Sequence, residues 1–525
     1  MEAATMASPL PDDALAAILR RLPPRTLAAC RCVCKAWCAI VDARELLLKH
    51  LLPHAVRGIF VNYVDYRCPR FFARPSSERP EINGNLGFLH DGYSQSFGSV
   101  LDHCNGLLLY HGGFTREFFV VNPATRQWER LPPRMDVLDY VAHLVFDPAV
   151  SPHYEVFLIP CVPEKPRPVL PREVPPPPIN LSCLFSLLDD EPDAEELEED
   201  DEEEEEVIES PPPRSIEEGF FPARFTPESS EPQDPYRLME WPPSPCTLHV
   251  FSSCAGRWEE KLFVQQGDAV GTAEDVRLDS LRPMDWGSRR RYGIYWRGAL
   301  YLLNCFISRF VNIFTKSMLF CRLFLANCKF QVIKTPIGIE ETNYVRAYLG
   351  QSKKGLYFAT IHNHSEFRVW ILDESCDQME WILEHHVNLD PYASWPAVHS
   401  NYRERIDGPW ILDGAKSDSN VMKSDDDLEW DSDEDNILDG DKLQCIDYIL
   451  GFHPYKEIVF LMTSFTGIAY HLNSSKVQYL GKLRPNDYFY THSAGLYESF
   501  LYTPCMIGEL PETSQENHGD DQQHI

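Results

Sequence analysis

The apolar positions change their period once along the chain. From about Leu10 to Leu52 they recur every three or four residues, the spacing of helix faces. Leu10, Ala14, Leu15, Ile18, Leu19 and Leu22 cover nearly half of one helix circumference, with Pro11, Asp12 and Asp13 suited to its first turn and Pro23-Pro24 stopping it. A second helical stretch, Arg25 to about Val41, carries Leu27, Cys30, Val33, Trp37 and Ile40, and "ARELLLKHLL" predicts a third that ends at Pro53. Three short helices cannot bury faces this broad against one another, because units near ~40 residues hold little core of their own. The surplus apolar surface predicts contact with a partner or with the next domain.

From about Val56 the pattern becomes short runs of β-branched and aromatic residues bounded by Gly, Asn, Asp or Pro, which predicts strands joined by tight turns. The runs are "RGIFVNYVDY", "GLLLYHG", "EFFVVNP", "YEVFLIP", "TLHVFSS", "ALYLLN", "RLFLAN", "KFQVIKTP", "GLYFATI", "FRVWIL", "EIVFLM" and "GIAYHLN". They fall into similar groups, each leading from an apolar strand through a hairpin to a last strand marked by Trp128, Trp258, Phe330, Trp381 or Tyr479. A recurring cluster of this size predicts a propeller blade, since one four-stranded sheet buries its faces only against neighbours. Five groups are visible. A sixth is expected from "YTHSAGLYESFLY" near the C-terminus joined to "RGIFVNYVDY…FFARP" near the start. Two stacked antiparallel sheets are the other arrangement the same strands allow. The fold class is thus multidomain, a small all-α unit of three helices followed by an all-β domain read as a β-propeller of five or six blades.

Composition changes this picture in two places. Residues 161–244 are proline-rich and then acidic, and residues 414–442 form a second acidic stretch. Both are predicted to be disordered insertions, as is the tail 511–525. That leaves 8–52 as the helical unit and 55–160, 245–413 and 443–510 as the β-domain. The net charge of −31 comes largely from the insertions, with 15 acidic residues in Asp189–Glu206 and 10 in Asp425–Asp441, and no basic residue in either run. The remainder is nearly balanced, so no nucleic-acid partner is expected, and Arg289-Arg290-Arg291 reads as a solvated turn or a contact to an acidic substrate. No long apolar run predicts a membrane helix, and the start lacks a basic, apolar signal segment. Sixteen cysteines without framework spacing read as reduced thiols of a cytoplasmic or nuclear protein.

Candidate chemistry is sparse. Cys30, Cys32, Cys34 and Cys38 read as small buried hydrophobes, without a second cluster at zinc-site spacing. His362 and His364 would share a face of one strand, and His385-His386 follow, but neither pair has the company a metal site needs. No phosphate loop, dinucleotide-binding glycine pattern or nucleophile elbow appears, so no catalytic residue, metal or cofactor is expected. The acidic runs read as solubilising segments, as lures for basic partners, or as regulatory sites in which Ser424 ("SDDD") and Ser432 ("SDED") accept phosphate.

"LPDDALAAILRRLPPRTLAACRCVCKAWCAIV" resembles an F-box, through Leu10, Pro11, Asp12, Ile18, Leu19, Arg21-Leu22-Pro23, Arg31, Val33, Lys35 and Trp37. "CNGLLLY…VVNPATRQWERLPP", from Cys104 to Pro133, is similar to the first repeat of plant F-box-associated domains, and Gly112-Gly113 with Trp128 resembles the kelch signature. The later groups lack the double glycine. The resemblance implies a substrate-recognition subunit of an SCF-type cullin-RING ubiquitin ligase and not an enzyme. The F-box would bind the Skp-type adaptor, and through it cullin and RING subunits, by Leu10, Pro11, Leu15, Ile18, Leu19, Leu22, Val33 and Trp37. The β-domain would hold a protein substrate whose identity and contacts are not readable. The alternatives are an F-box scaffold acting outside a ligase and a propeller enzyme with an incidental helical N-terminus.

Overall fold

The structure is a computed structural model that describes residues 11–22, 26–27, 30–31, 33–44, 46, 55–75, 82–89, 98–112, 117–133, 140–161, 235–267, 271–273, 292–303, 320–336, 345–362, 364–375, 379–389, 408–413, 437–438, 445–486, 488, 495–507 and 510. The chain divides into one unit of Met1–Glu164 with Arg237–Ile525 and a second of Lys165–Tyr236. Of the second unit only Pro235 and Tyr236 are described, so most of the expected insertion 161–244 lies outside the described residues, as do Ser424, Ser432 and the tail, whereas strands at Glu240–Trp241 and Ile437–Leu438 fall inside the two stretches expected to be disordered. Among the described residues no helix is long and apolar enough to cross a membrane.

Helix α1 (Asp12–Leu19) starts two residues after its apolar pattern begins at Leu10. Pro11 sits at the cap with extended ψ, its carbonyl accepts the Leu15 N–H, and Asp12 and Asp13 complete the first turn. The single helix expected from Arg25 to Val41 is interrupted. Thr26, Leu27 and Cys30 are helical, a turn closes from the Val33 N–H to the Cys30 carbonyl, and α2 (Lys35–Ala43) begins afresh. The break lets α2 fold back, so that Ile40 and Val41 join Leu15, Ala16, Leu19 and Leu27 in one small core. Leu46 reaches the same core, while most of "ARELLLKHLL" lies outside the described residues.

The rest of the described chain is built of strands, and all twelve apolar runs fall on them. β1 (Gly58–Tyr63) pairs antiparallel with β2 (Arg70–Ala73). A four-strand meander follows, β3 (Gly98–Cys104), β4 (Leu107–Gly112), β5 (Phe118–Asn122) and β6 (Gln127–Arg130). Next come β7 (Tyr140–Phe146) and β8 (Tyr154–Pro160). Beyond β9 (Glu240–Trp241), their sheet continues with β10 (Cys246–Ser252) and β11 (Arg257–Gln266). β12 (Gly271–Thr272) pairs with β9. Trp241 is buried, so the folded body resumes ahead of the expected boundary at residue 245. The fourth meander is β13 (Tyr292–Trp296), β14 (Ala299–Leu303), β15 (Phe320–Phe324) and β16 (Lys329–Ile333), and the fifth is β17 (Val345–Ser352), β18 (Gly355–His362), β19 (Glu366–Asp373) and β20 (Glu380–Asn388). After β21 (Ile411–Leu412) and β22 (Ile437–Leu438), the sixth is β23 (Tyr448–Phe452), β24 (Ile458–Thr463), β25 (Thr466–His471) and β26 (Val477–Lys482).

The last strand, β27 (Leu496–Tyr502), returns to the start and pairs along β1 from Gly58–Tyr502 to Tyr63–Leu496, giving the sheet β21-β2-β1-β27. Strands near both ends of the chain therefore share one sheet, as the sixth group anticipated. The strands do not gather into two large sheets. One eight-stranded sheet does occur, because β11 and β16 run parallel over Val264–Gln266 and join the third and fourth meanders.

Packing follows the same order. β3 lies against β7, β7 against β13, β13 against β17, β17 against β23, β23 against β27, and β27 against β3. Hydrophobic cores fill the spaces between successive sheets. Phe60 and Tyr502 meet Val100 and Leu108, Leu109 meets Leu144 and Val156, Phe157 meets Leu300, Tyr301 meets Phe358, Tyr357 meets Val459, and Phe460 meets Val61 and Phe72. The inner strands, such as β5, β14 and β18, bury both faces and read as continuous apolar runs, while the outer strands β6, β11 and β20 keep exposed positions.

Candidate functional site

The helical unit uses some of its expected contact residues for its own core. Leu15 and Leu19 are 3% and 1% exposed among Leu27, Ile40 and Val41, so they support the surface from within and do not form it. Ile18 and Val33 are 50% and 63% exposed. Pro11 is exposed, Leu22 and Trp37 are half-buried against the core, and Leu10 lies outside the described residues. The outward apolar set is therefore Pro11, Ile18, Leu22, Val33 and Trp37. Arg44 and Asp13 form an exposed ion pair at 2.5 Å between the end of α2 and the start of α1, too solvated to fix the unit by itself.

A second candidate lies among the leading strands of the β-sheets, where residues of β3, β7, β13, β17, β23 and β27 line a cavity of about 290 Å³. A register shift between Val100 and Asp102 leaves Leu101 as a bulge on β3, a device that re-aims side chains. Asp102 is buried. Its Oδ2 accepts the Leu144 N–H at 2.9 Å and lies 3.1 Å from His143 Nδ1, while Oδ1 accepts the His103 N–H at 2.9 Å. A carboxylate only accepts, so His143 Nδ1 carries the proton of this contact and Nε2 is the ring's other nitrogen. That Nε2 is buried with no hydrogen-bond partner in the protein. A Cβ on Gly293 would stand 2.1 Å from His143 Nδ1, so the glycine gives the imidazole its place.

The opposite wall is aromatic and acidic. Tyr292 and Tyr348 stand with ring centroids 4.3 Å apart, and Glu498 on β27 is 2% exposed. Burial, then the neighbouring Tyr292, Glu498 and Asp102, hold the Tyr348 hydroxyl well above its ordinary value and keep it neutral. Burial lowers the His103 imidazole, which Asp102 opposes, and His103 Nδ1 also has no hydrogen-bond partner. No lysine or arginine occurs among the described residues lining the cavity.

Of the histidines singled out in the sequence, His362 and His386 both lie beside Glu366, while His364 and His385 face other partners. β18 ends at His362, and His364 lies beyond it in a turn with φ of 61°, so the two do not alternate along one strand. His364 Nδ1 stands 3.2 Å from Asp447, His385 Nε2 3.0 Å from the Tyr470 hydroxyl, and His386 Nε2 2.9 Å from Glu366. Among the described residues no group of three His, Cys, Asp or Glu is placed to hold a metal ion. Cys30 is buried, Cys34 exposed and Cys38 half-buried, while Cys32 and Arg289–Arg291 lie outside the described residues. The cavity residues carry no sequence motif. Asp102 and His143 are far apart along the chain, and Glu498 comes from its other end. The only sequence signal is the polar and glycine interruptions in strands that otherwise read as apolar.

Comparison with known proteins identifies the head of the chain. Residues 8–49 match the F-box domain family. An F-box protein of Arabidopsis thaliana is 30% identical over 166 residues, 28% of this chain and 37% of that protein. An F-box/kelch-repeat protein of the same plant is 26% identical over 130 residues, 23% of this chain and 36% of that one. The chain thus spans about a third of the length of the curated relatives it matches. A structure from a study of two prolyl endopeptidases aligns at 9% identity and a TM-score of 0.29, covering 91% of this chain and 55% of that one, a likeness too weak to carry an argument. Residues 8–49 form an F-box domain, and a large β-rich domain follows it.

Proposed function

We propose that this chain is a substrate-recognition subunit of an SCF-type cullin-RING ubiquitin ligase, acting in the cytoplasm or nucleus. Its F-box docks on the Skp-type adaptor, and its β-rich domain holds a protein substrate. The observation that carries the reading is the F-box at residues 8–49 with Ile18 and Val33 exposed and Leu22 and Trp37 only half-buried against its small core. Apolar side chains at such a surface drive docking at ~25 cal/mol per Å² buried, with a few central anchors dominating. On this reading the chain performs no group transfer. It raises the effective concentration of substrate near a ubiquitin carrier held by other subunits.

The β-rich domain is read as a six-bladed propeller. In support, six successive groups of strands pack core to core, two of them joined edge to edge in the eight-stranded sheet, the leading strands contact one another in a cycle, and β27 joins the last segment of the chain to the first sheet. Trp128, Trp258, Phe330, Trp381 and Tyr479 all fall on the fourth strands of their meanders, as the residues marking a repeat would.

The test is co-purification of the full chain with a Skp-type adaptor. Ile18→Asp and Val33→Asp place charge on exposed positions without touching the core, and each is expected to weaken capture by about tenfold or more. Trp37→Ala is expected to do the same. Capture undiminished in all three variants would overturn adaptor docking through this face.

A further inference from the structure

We propose that the cavity among β3, β7, β13, β17, β23 and β27 anchors a neutral aromatic side chain, a phenol or an indole, carried by an acidic segment of a substrate protein. The inference rests on the reading of the β-rich domain as the part that holds a protein substrate. Two observations meet there, one inside the cavity and one at its rim. Inside, no charge is left to pair with a charged guest. Asp102 is occupied by His143 and by the Leu144 and His103 N–H groups, and Asp147 accepts the Ala149 N–H at 3.0 Å. Glu498 is engaged by the protein as well, and no lysine or arginine occurs among the described lining residues. An ion entering would give up its hydration without a counter-charge, which excludes ammonium, guanidinium and carboxylate groups. Rings make up much of the wall instead. Tyr292, Tyr295 and Tyr455 keep accessible surface, while Tyr348, Phe452 and Phe500 are buried. An aromatic guest among rings gains more than its buried area alone supplies. A cavity of roughly 150 Å³ takes one benzene, so about 290 Å³ has room for a phenol or an indole.

The rim selects the surroundings of that side chain. The leading strands run into their hairpins here, since Asn105, Asp147, Gln351, Pro454 and Thr503 line the cavity at or just past the ends of β3, β7, β17, β23 and β27. Three consecutive hairpins each carry an exposed cation, Arg297 between β13 and β14, Lys353 between β17 and β18, and Lys456 between β23 and β24. Their turns touch. A Cβ on Gly355 would stand 3.8 Å from the Trp296 ring, and Ser352 Oγ lies 2.9 Å from the His453 and Lys456 carbonyls. Glu457 in the last turn already accepts the Tyr357 hydroxyl and stands 3.6 Å from Lys354. A positive rim on a chain of net charge −31 attracts Asp or Glu residues that flank the anchoring ring. A free aromatic molecule would fill the cavity and gain nothing from the rim. A nucleotide has a similar outline, but the several donors and acceptors of its base would be buried among groups that already have partners. The geometry therefore favours a side chain on a peptide.

Calorimetric titration of the full chain with acetyl-Asp-Asp-Trp-Asp-Asp-amide tests the site. Saturable binding is expected, weakened roughly thirtyfold when Ala replaces the peptide's Trp and roughly tenfold when Lys replaces each Asp. The double variant Lys353→Glu with Lys456→Glu changes exposed turn positions only, and it is expected to weaken the acidic peptide roughly tenfold. Hydrogen exchange on the unaltered chain locates the site independently, with peptide-induced protection expected in residues 98–104, 292–296, 345–352 and 448–456. No saturable binding of the Trp peptide, equal binding of its Ala counterpart, or protection confined to other segments would overturn the proposal. So would binding of 3-methylindole without the peptide, or tighter binding of an oligothymidylate. The titration contains no adaptor, so its failure leaves F-box docking standing, and failed adaptor capture leaves peptide binding to be read on its own.

Discussion

His453 shows how a single residue couples this fold to pH. It is 3% exposed, and its Nδ1 accepts the N–H groups of Tyr455 and Lys456 at 3.1 and 3.2 Å, closing the turn between β23 and β24. Burial, then the charge of Lys456, hold the imidazole down at about 3, against 6.5 for an ordinary histidine. Between those values the unfolded chain binds a proton that the folded chain refuses, so the contribution is complete above about pH 6.5 and is lost as pH falls toward 3. Burial lowers His103 and His385 as well. Burial pushes the Asp447 carboxyl up, but hydrogen bonds from His364 and the Ser464 N–H outweigh it and leave the group below its ordinary value. All four lose their contribution as pH falls, the three histidines from about 6.5 downward and Asp447 only around and below 3.8, so the histidines set the response between pH 7 and pH 5. The melting temperature is expected to drop by several degrees between about pH 7 and pH 5. His453→Asn keeps an acceptor for both N–H groups without a titrating ring, so its melting curve is expected to move less over that range. An unchanged slope in the variant would show that other groups set the pH response.

At the scale of elements, side chains tie each sheet to its neighbours. Trp258 on β11 donates its indole N–H to the Pro132 carbonyl beyond β6, and Trp381 on β20 donates to the Lys334 carbonyl beyond β16, both at 3.0 Å. The same bond recurs at equivalent places in two meanders, so these residues marked a repeat in the sequence. Tyrosines on second strands form another set of ties. Tyr154 donates to Glu129, while Tyr301 and Tyr357 donate to Glu374 and Glu457 at 2.6 Å. Tyr357→Phe removes only the hydroxyl and leaves Glu457 short of a donor in a partly buried position. The expected loss is about 1–3 kcal/mol in urea unfolding; no change would mean that Lys354, 3.6 Å from Glu457, replaces the bond. The hairpins follow local rules. Asn105 and Gly106 join β3 to β4 with φ of 46° and 84°, the two-residue turn that an Asn-Gly pair favours. A Cβ on Gly106 would also stand 2.5 Å from the Cys505 backbone nitrogen, so this turn carries a packing constraint from the far end of the chain.

At the scale of the whole molecule, β27 is the element on which closure depends. It brings Leu496, Phe500, Leu501 and Tyr502 to two cores that also hold β1, and it supplies β1 with a pairing partner. A chain cut after Ala494 is expected to lose its cooperative thermal transition, because both cores lose large side chains and β1 becomes an open edge. A truncated chain that melts as the full one does would refute that dependence. The apolar runs by themselves determined that the body is β-rich and where its inner strands lie, since strands buried on both faces need little context to be recognised. They also marked the F-box, whose spacing is local, and the groups of strands, whose fourth positions repeat. The leading strands β3, β7, β13 and β17 were not legible, because Asp102, His103, His143, Gly293 and Gly350 interrupt their apolar pattern. Those interruptions are the cavity lining. Tertiary structure alone decided that Asp102, His143 and Glu498 line one space, and that Leu15 and Leu19 turn inward while Ile18 and Val33 face out. The physical reason is the same in both cases. Local sequence sets periodicity and turn chemistry, whereas the burial of a particular side chain depends on which distant segment packs against it.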